Sequence, residues 1–128
     1  MASAVIKRAR QGTTEVLIAK IPTAPYEGRW TFPNGPIEDD ETPEAGLRRA
    51  LRSLLGISVR IVCSQPPFDH PWDEVLCRWR FFFCEGTGCK VHNEYFSQIR
   101  WVTRATLREY DFDPASRRVV DWMIEDRA

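Results

Sequence analysis

Between Thr42 and Gly56 the chain reads TPEAGLRRALRSLLG, and this stretch leaves one backbone conformation open. Thr42 offers a hydroxyl acceptor to the first free amides of a helix. Pro43 suits the first helical position, where an N–H would have no partner in any case. Glu44 complements the positive end of the helix, and Gly56 supplies the left-handed stop. Leu47, Ala50, Leu51 and Leu54 recur at i, i+3, i+4 and i+7, so the helix carries one apolar stripe that must be covered.

The rest of the chain supplies strands to cover it. Ala4 to Arg10 and Thr14 to Ile21 are β-prone runs separated by QGTT, the pattern of a hairpin. The loop PTAPYEG breaks regularity through its prolines, and a short RWTF strand follows. ISVRIVCS predicts a strand ending in a turn-rich segment, QPPFDHPWDE. In VLCRWRFFFCE, Val75, Cys77, Trp79, Phe81 and Phe83 form an apolar face, while Leu76, Arg78, Arg80, Phe82 and Cys84 form a mixed one. EGTGCK reads as a glycine-rich turn and SQIRWV as a further strand. Thr103 then caps a short helix through Tyr110, and Asp113-Pro114 opens a last helix with Val119, Val120, Met123 and Ile124 inward. Strands, helix, strands, helices is an α+β order: a mixed sheet with helices packed on it, over residues 1–128 as one domain.

Eighteen basic and eighteen acidic side chains cancel, so no overall field draws the molecule to nucleic acid or to an anionic membrane. An anionic partner must be captured locally. No apolar run approaches the roughly 20 residues that cross a bilayer, and MASAVIKRARQG lacks the apolar core of a signal peptide. The expected location is cytoplasmic, where Cys63, Cys77, Cys84 and Cys89 stay reduced and buried thiols are the default.

The segment WTFPNGPIEDDETPEAGLRRALRSLLGIS resembles the signature of the Nudix hydrolase superfamily, G-x5-E-x7-R-E-U-x-E-E-x-G-U, where U is a bulky aliphatic residue. Gly35, Glu41, Arg49, Leu51, Gly56 and Ile57 fall in register with it. WTFPNG is similar to the family's W-x-F-P-G-G, and RWVTRATLREYDFDPASRRVV to the C-terminal part of MutT-type and CTP pyrophosphohydrolase-type members. The resemblance implies a Nudix fold, a mixed sheet sandwiched between helices (α/β/α). It also implies a nucleotide or other phosphorylated small molecule as partner.

The same alignment exposes what is different. Where the family carries its three helix glutamates, this chain has Ala50, Ser53 and Leu54. Those glutamates hold Mg²⁺ in the family, because a hard cation takes carboxylate oxygens and bridges phosphates. No resident metal is therefore expected here, and Mg²⁺ matters only if residual hydrolysis exists. The structural part of the motif remains: Gly35, Gly56, and the pair Glu41 and Arg49, which ties loop to helix in the family. Asn34 replaces a glycine and is the best non-glycine residue for a left-handed conformation. Ile21, beside Lys20, stands near a position where relatives carry a phosphate-binding arginine.

The remaining candidates each have a functional and a structural reading. Glu94 lies near a distal metal-binding glutamate of relatives, so Glu41 and Glu94 are the candidate catalytic carboxylates; otherwise Glu94 is a solvated loop acid. The run Glu38 to Glu41 is either a cation site or an exposed acidic lead-in to the helix. Arg78 and Arg80 share a strand face and form either a phosphate clamp or a solvated pair. His70 and Trp72 fall where relatives line the nucleoside pocket, and Ser116 where they place a base-reading Asn or Asp; a packed turn and a helix cap are the alternatives. Cys84-x4-Cys89-x2-His92 is an unusual zinc half-site that would need Cys77 or Cys63. Three functions are in contention: a non-hydrolytic nucleotide-like ligand-binding module, a weak or atypical hydrolase, and a protein-interaction or homodimer module anchored on tryptophans.

Overall fold

In the computed structural model, residues 1–86 and 90–126 are described. β1 (Ala2–Arg10) and β2 (Thr13–Lys20) form the expected hairpin, turning at Gln11 and Gly12, both at positive φ. β3 (Trp30–Thr31) and β4 (Asn34–Gly35) are short, and α1 (Pro43–Leu55) follows. β5 (Val59–Ser64), β6 (Phe68–Trp72), β7 (Val75–Gly86) and β8 (Gln98–Thr103) come next. A 3-10 helix (Arg104–Glu109) leads into α2 (Pro114–Asp126).

The sheet runs β3-β2-β1-β7-β5, with β4 paired to β1, β6 to β7 and β8 to β2. β1 and β7 are parallel and the other pairs antiparallel, so the sheet is mixed. Alternation assigns its faces. Ala2, Ala4, Ile6, Leu17, Ala19, Phe82 and Cys84 meet Leu47, Leu51 and Leu55 of α1. Val5, Val16, Ile18, Trp79, Phe81 and Phe83 meet Ala115, Val119, Val120 and Met123 of α2. The fold is therefore α+β, a sheet between helices. Each buried aliphatic side chain adds about 1.5–3 kcal/mol over leaving it in water.

α1 is built as its sequence requires. The Thr42 hydroxyl accepts from the Ala45 amide at 3.1 Å, and Gly56 sits at φ 64°, its amide bonded to the Arg52 carbonyl. The stripe is shifted by one residue at its end: Leu55 is buried, whereas Leu54 is only partly covered.

Several other expectations are corrected. QPPFDHPWDE is not a free turn, because Phe68–Trp72 is a strand antiparallel to Val75–Trp79. β5 and β6 run along β7 as one ribbon interrupted at Pro66-Pro67, with Asp73 at positive φ in its tip. Pro71 is tolerated because, among the described residues, β6 pairs with β7 alone and Pro71 stands on an edge strand. β1 reaches β7 only from Arg80 onward, so the tip projects and leaves Leu76 exposed, along with Val75, which was expected in the apolar face. Thr103 makes no side-chain cap and its helix is 3-10. Asn34 is not left-handed; its amide donates to the Phe32 carbonyl at 2.8 Å and to Thr31 Oγ1 at 3.3 Å. No described helix is long and apolar enough to cross a membrane.

Candidate functional site, a pocket against the first helix

Gly35 brings β4 against α1 so closely that a Cβ placed on it would lie 2.6 Å from the Ala50 Cβ. This contact fixes one wall of a cavity of about 410 Å³. Ala50, Ser53 and Leu54 face the cavity from α1, Thr31 and Asn34 from β3 and β4, and Ile21 from the end of β2. Trp72 enters from the ribbon tip, and Tyr95 and Phe96 from the loop before β8. That loop is tied to α1 through its last carbonyls: the His92 amide donates to Leu55 at 2.8 Å and the Glu94 amide to Leu54 at 3.0 Å. These bonds satisfy acceptors that every helix leaves open. The tip is tied in turn to the loop after β2, where Tyr26 packs edge-on to Trp72 at 4.8 Å and its hydroxyl accepts from the Asp73 amide.

Glu41 is fully engaged. Its Oε2 accepts from Arg49 Nε at 2.8 Å, and its Oε1 accepts from Arg49 Nη2 at 2.9 Å and from the Glu38 amide at 3.0 Å. Arg49 Nη2 also donates to the Pro36 carbonyl, so the pair pins the acidic loop to the helix. The side-chain bond to Arg49, helped by the Glu38 amide, holds the Glu41 carboxyl down at about 2. A carboxylate so bonded is a clamp and a poor proton acceptor at neutral pH. Gly46 leaves room for it, since a Cβ there would lie 3.3 Å from Glu41 Oε1.

A divalent cation does not fit this wall. Ala50 and Leu54 carry no donor oxygen, Ser53 offers one neutral hydroxyl, and no carboxylate lines the cavity among the described residues. Glu94 is exposed and lies outside the lining, as do Asp39 and Asp40.

The other candidates disperse. Ser116 is fully buried, with its Oγ 3.2 Å from Thr31 Oγ1, one layer behind the cavity. Its amide donates to Asp113 Oδ2 at 3.1 Å, so Asp113 is the cap of α2. Burial pushes the Asp113 carboxyl up despite hydrogen bonds from Thr31 and Ser116. His70 sits on β6 opposite Cys77, its carbonyl accepting from Trp79 Nε1 at 3.2 Å, and does not line the cavity. Arg78 and Arg80 lie in a different cleft. Lys20 stands over the Trp30 ring at 5.8 Å, while Ile21 is buried.

Cys63 is exposed, Cys77 half-buried and Cys84 buried, which corrects the expectation of uniformly buried thiols. Burial pushes the Cys84 thiol up to about 12, away from the thiolate a zinc site needs. Cys89 and the turn around it lie outside the described residues, and among those described no group of three or more His, Cys, Asp or Glu side chains is placed to hold a metal.

Tyr95, Phe96, Thr31 and Tyr26 were not singled out from sequence. Tyr95 and Phe96 beside Glu94 carried the only available signal, an aromatic pair in an otherwise polar loop.

The NUDIX domain family model matches residues 1–123. The chain belongs to the NUDIX domain family. It is similar to the nucleoside triphosphatase NudI of Enterobacter sp. strain 638, with 30% identity over 104 residues, 72% of this chain and 74% of that protein. Solved structures place the same fold in distant members. The Mycobacterium smegmatis Nudix hydrolase RenU superposes with TM-score 0.82 at 16% identity, covering 98% of this chain and 83% of that one. The NUDIX domain of Shewanella oneidensis NrtR, solved with ADP ribose, gives 0.78 at 15%, covering 99% and 86%.

Proposed function

We propose that the cavity against α1 binds a nucleotide-like small molecule and does not hydrolyse it. The observation that carries this reading is the α1 wall itself, where Ala50, Ser53 and Leu54 replace charged oxygens with two hydrocarbon groups and one hydroxyl. Phosphoryl transfer in water-activating sites relies on a metal that neutralises developing charge, a contribution of several kcal/mol. A wall without carboxylates loses that contribution, and it also loses the repulsion that carboxylates exert on a ligand's phosphates when no metal is present.

The remaining walls suit a nucleoside. Trp72 and Tyr95 offer aromatic faces, and the Thr31 hydroxyl and Asn34 side chain offer polar groups for a base or sugar edge. Ser116 and Asp113 act here as supports for Thr31 and contact ligand only through it. Glu41 and Arg49 hold the loop, Gly35 and Gly56 the helix, and neither Glu41 nor Glu94 serves as a base.

A second reading follows from the similarity to a protein named a nucleoside triphosphatase: a slow hydrolase using Mg²⁺ through carboxylates outside the cavity. One experiment separates the two. Phosphate release is measured over a panel of nucleoside triphosphates and ADP-ribose with Mg²⁺ or Mn²⁺, alongside thermal melting with the same compounds in chelator. The proposal expects no turnover above background and a raised melting temperature with at least one nucleotide, since ligand binding to the folded state stabilises it. Metal-dependent turnover at the rate of the NudI relative refutes it.

A further inference from the structure

The geometry points to a second ligand site in this protein, an anion-binding cleft on β7 built by Arg78 and Arg80 and suited to a phosphoryl group. Met1, Ile37, Pro43 and Pro67 complete its lining, around a volume of about 350 Å³. Met1 also borders the larger cavity, and the neighbours Pro36 and Ile37 line one space each, Pro36 the larger cavity and Ile37 this cleft. The site is independent of what the larger cavity binds.

Three observations converge on it. Arg78 and Arg80 are two residues apart on one strand, so both side chains leave the same face of β7. The Arg80 guanidinium has no hydrogen bond or ion pair among the described residues, and its Nε is shut off from solvent without an acceptor. Its nearest organised contact is the Phe82 ring, 5.9 Å away. A charged donor half-withdrawn from water without a partner is costly, and the cost falls when an anion meets it. The third observation concerns Arg78, which is 74% exposed and whose carboxylate neighbour, Asp69, stands 3.7 Å away, beyond good hydrogen-bond length. Its fork is open to a better acceptor.

The rest of the lining strengthens the case. Its side chains are apolar and none is a carboxylate among the described residues, so charge on an anion bound there is met by the two arginines, with Asp69 standing outside the lining beside Arg78. The backbone around the pair is firm: the Arg80 amide donates to the Met1 carbonyl at 2.9 Å, and the Met1 amino group donates to the Arg78 carbonyl at 2.9 Å. Planar guanidinium forks held on such a frame match the tetrahedral oxygens of phosphate better than a flexible lysine would.

The test is a titration of the whole chain with inorganic phosphate, followed by the side-chain Nε–H resonances of its arginines in ¹H–¹⁵N NMR. The expected result is a saturable shift of the Arg78 and Arg80 signals, larger than any other arginine's and absent with equimolar sodium chloride. Arg80→Gln weakens binding by about tenfold or more, because a charge-assisted hydrogen bond is lost. Arg78→Gln, at the more exposed position, weakens it without lowering the melting temperature, which separates binding from folding. Unmoved Arg78 and Arg80 signals, an equal response to chloride, or unchanged affinity in both variants overturns the site.

Discussion

Replacing Gly35 by alanine tests the contact on which the cavity depends. The added Cβ would sit 2.6 Å from the Ala50 Cβ, whereas carbon atoms in good contact stand about 3.5–4.0 Å apart. Relief would have to come from the backbone, since the opposing atom is a methyl fixed to α1. β4 is held by its pairing to β1 at Ala2 and Ser3, and α1 by Leu47, Leu51 and Leu55 in the core. Overpacking of this kind costs about 1–3 kcal/mol. Ala50→Gly removes the opposing methyl at a helix-propensity cost of about 1 kcal/mol. In the double variant the clash disappears, so the two changes should couple favourably by about 1–3 kcal/mol in a double-mutant cycle. Equilibrium urea unfolding measures all four proteins, with the midpoint reporting stability and the slope checking that unfolding remains two-state. Additive effects within about 0.5 kcal/mol, or a neutral Gly35→Ala, would refute the claim that this approach fixes the cavity wall.

Two further predictions concern the clamp and the aromatic wall. Glu41 has a folded-state pKa lowered to about 2, so its contribution is present above its unfolded value and is lost as pH falls toward 2. Wild type should therefore lose stability against Glu41→Gln across that acid window, and identical pH profiles in thermal melts would remove the pair's role. Trp72→Ala should weaken nucleotide binding in calorimetry by about 1–3 kcal/mol through lost stacking while the fold persists; unchanged affinity would take Trp72 out of the ligand's wall.

How far the molecule was legible in its sequence depended on the range of the forces involved. The caps of α1, the β-prone runs of β1 and β2 and the alternation in β7 were readable because each rests on residues a few positions apart. β6 was misread because its proline and turn-forming residues mark it locally as a loop, while its strand state comes from pairing along β7. Ser116 and His70 were candidate ligand residues through the family resemblance, and Arg78 with Arg80 through their shared strand face. The structure parts them into a buried support, a ribbon residue and a separate cleft.

Sequence by itself determined that one helix would run from the Thr42 cap to the Gly56 stop, and that it would carry Ala50, Ser53 and Leu54 at the positions where the signature it resembles has glutamates. Folding cannot change the identity of a side chain, which is why that difference from the signature was visible at once. Only the tertiary structure decided which side chains share a cavity. Trp72, Tyr95 and Thr31 come from distant parts of the chain, and they meet because sheet pairing and two amide bonds to the end of α1 bring their backbones together.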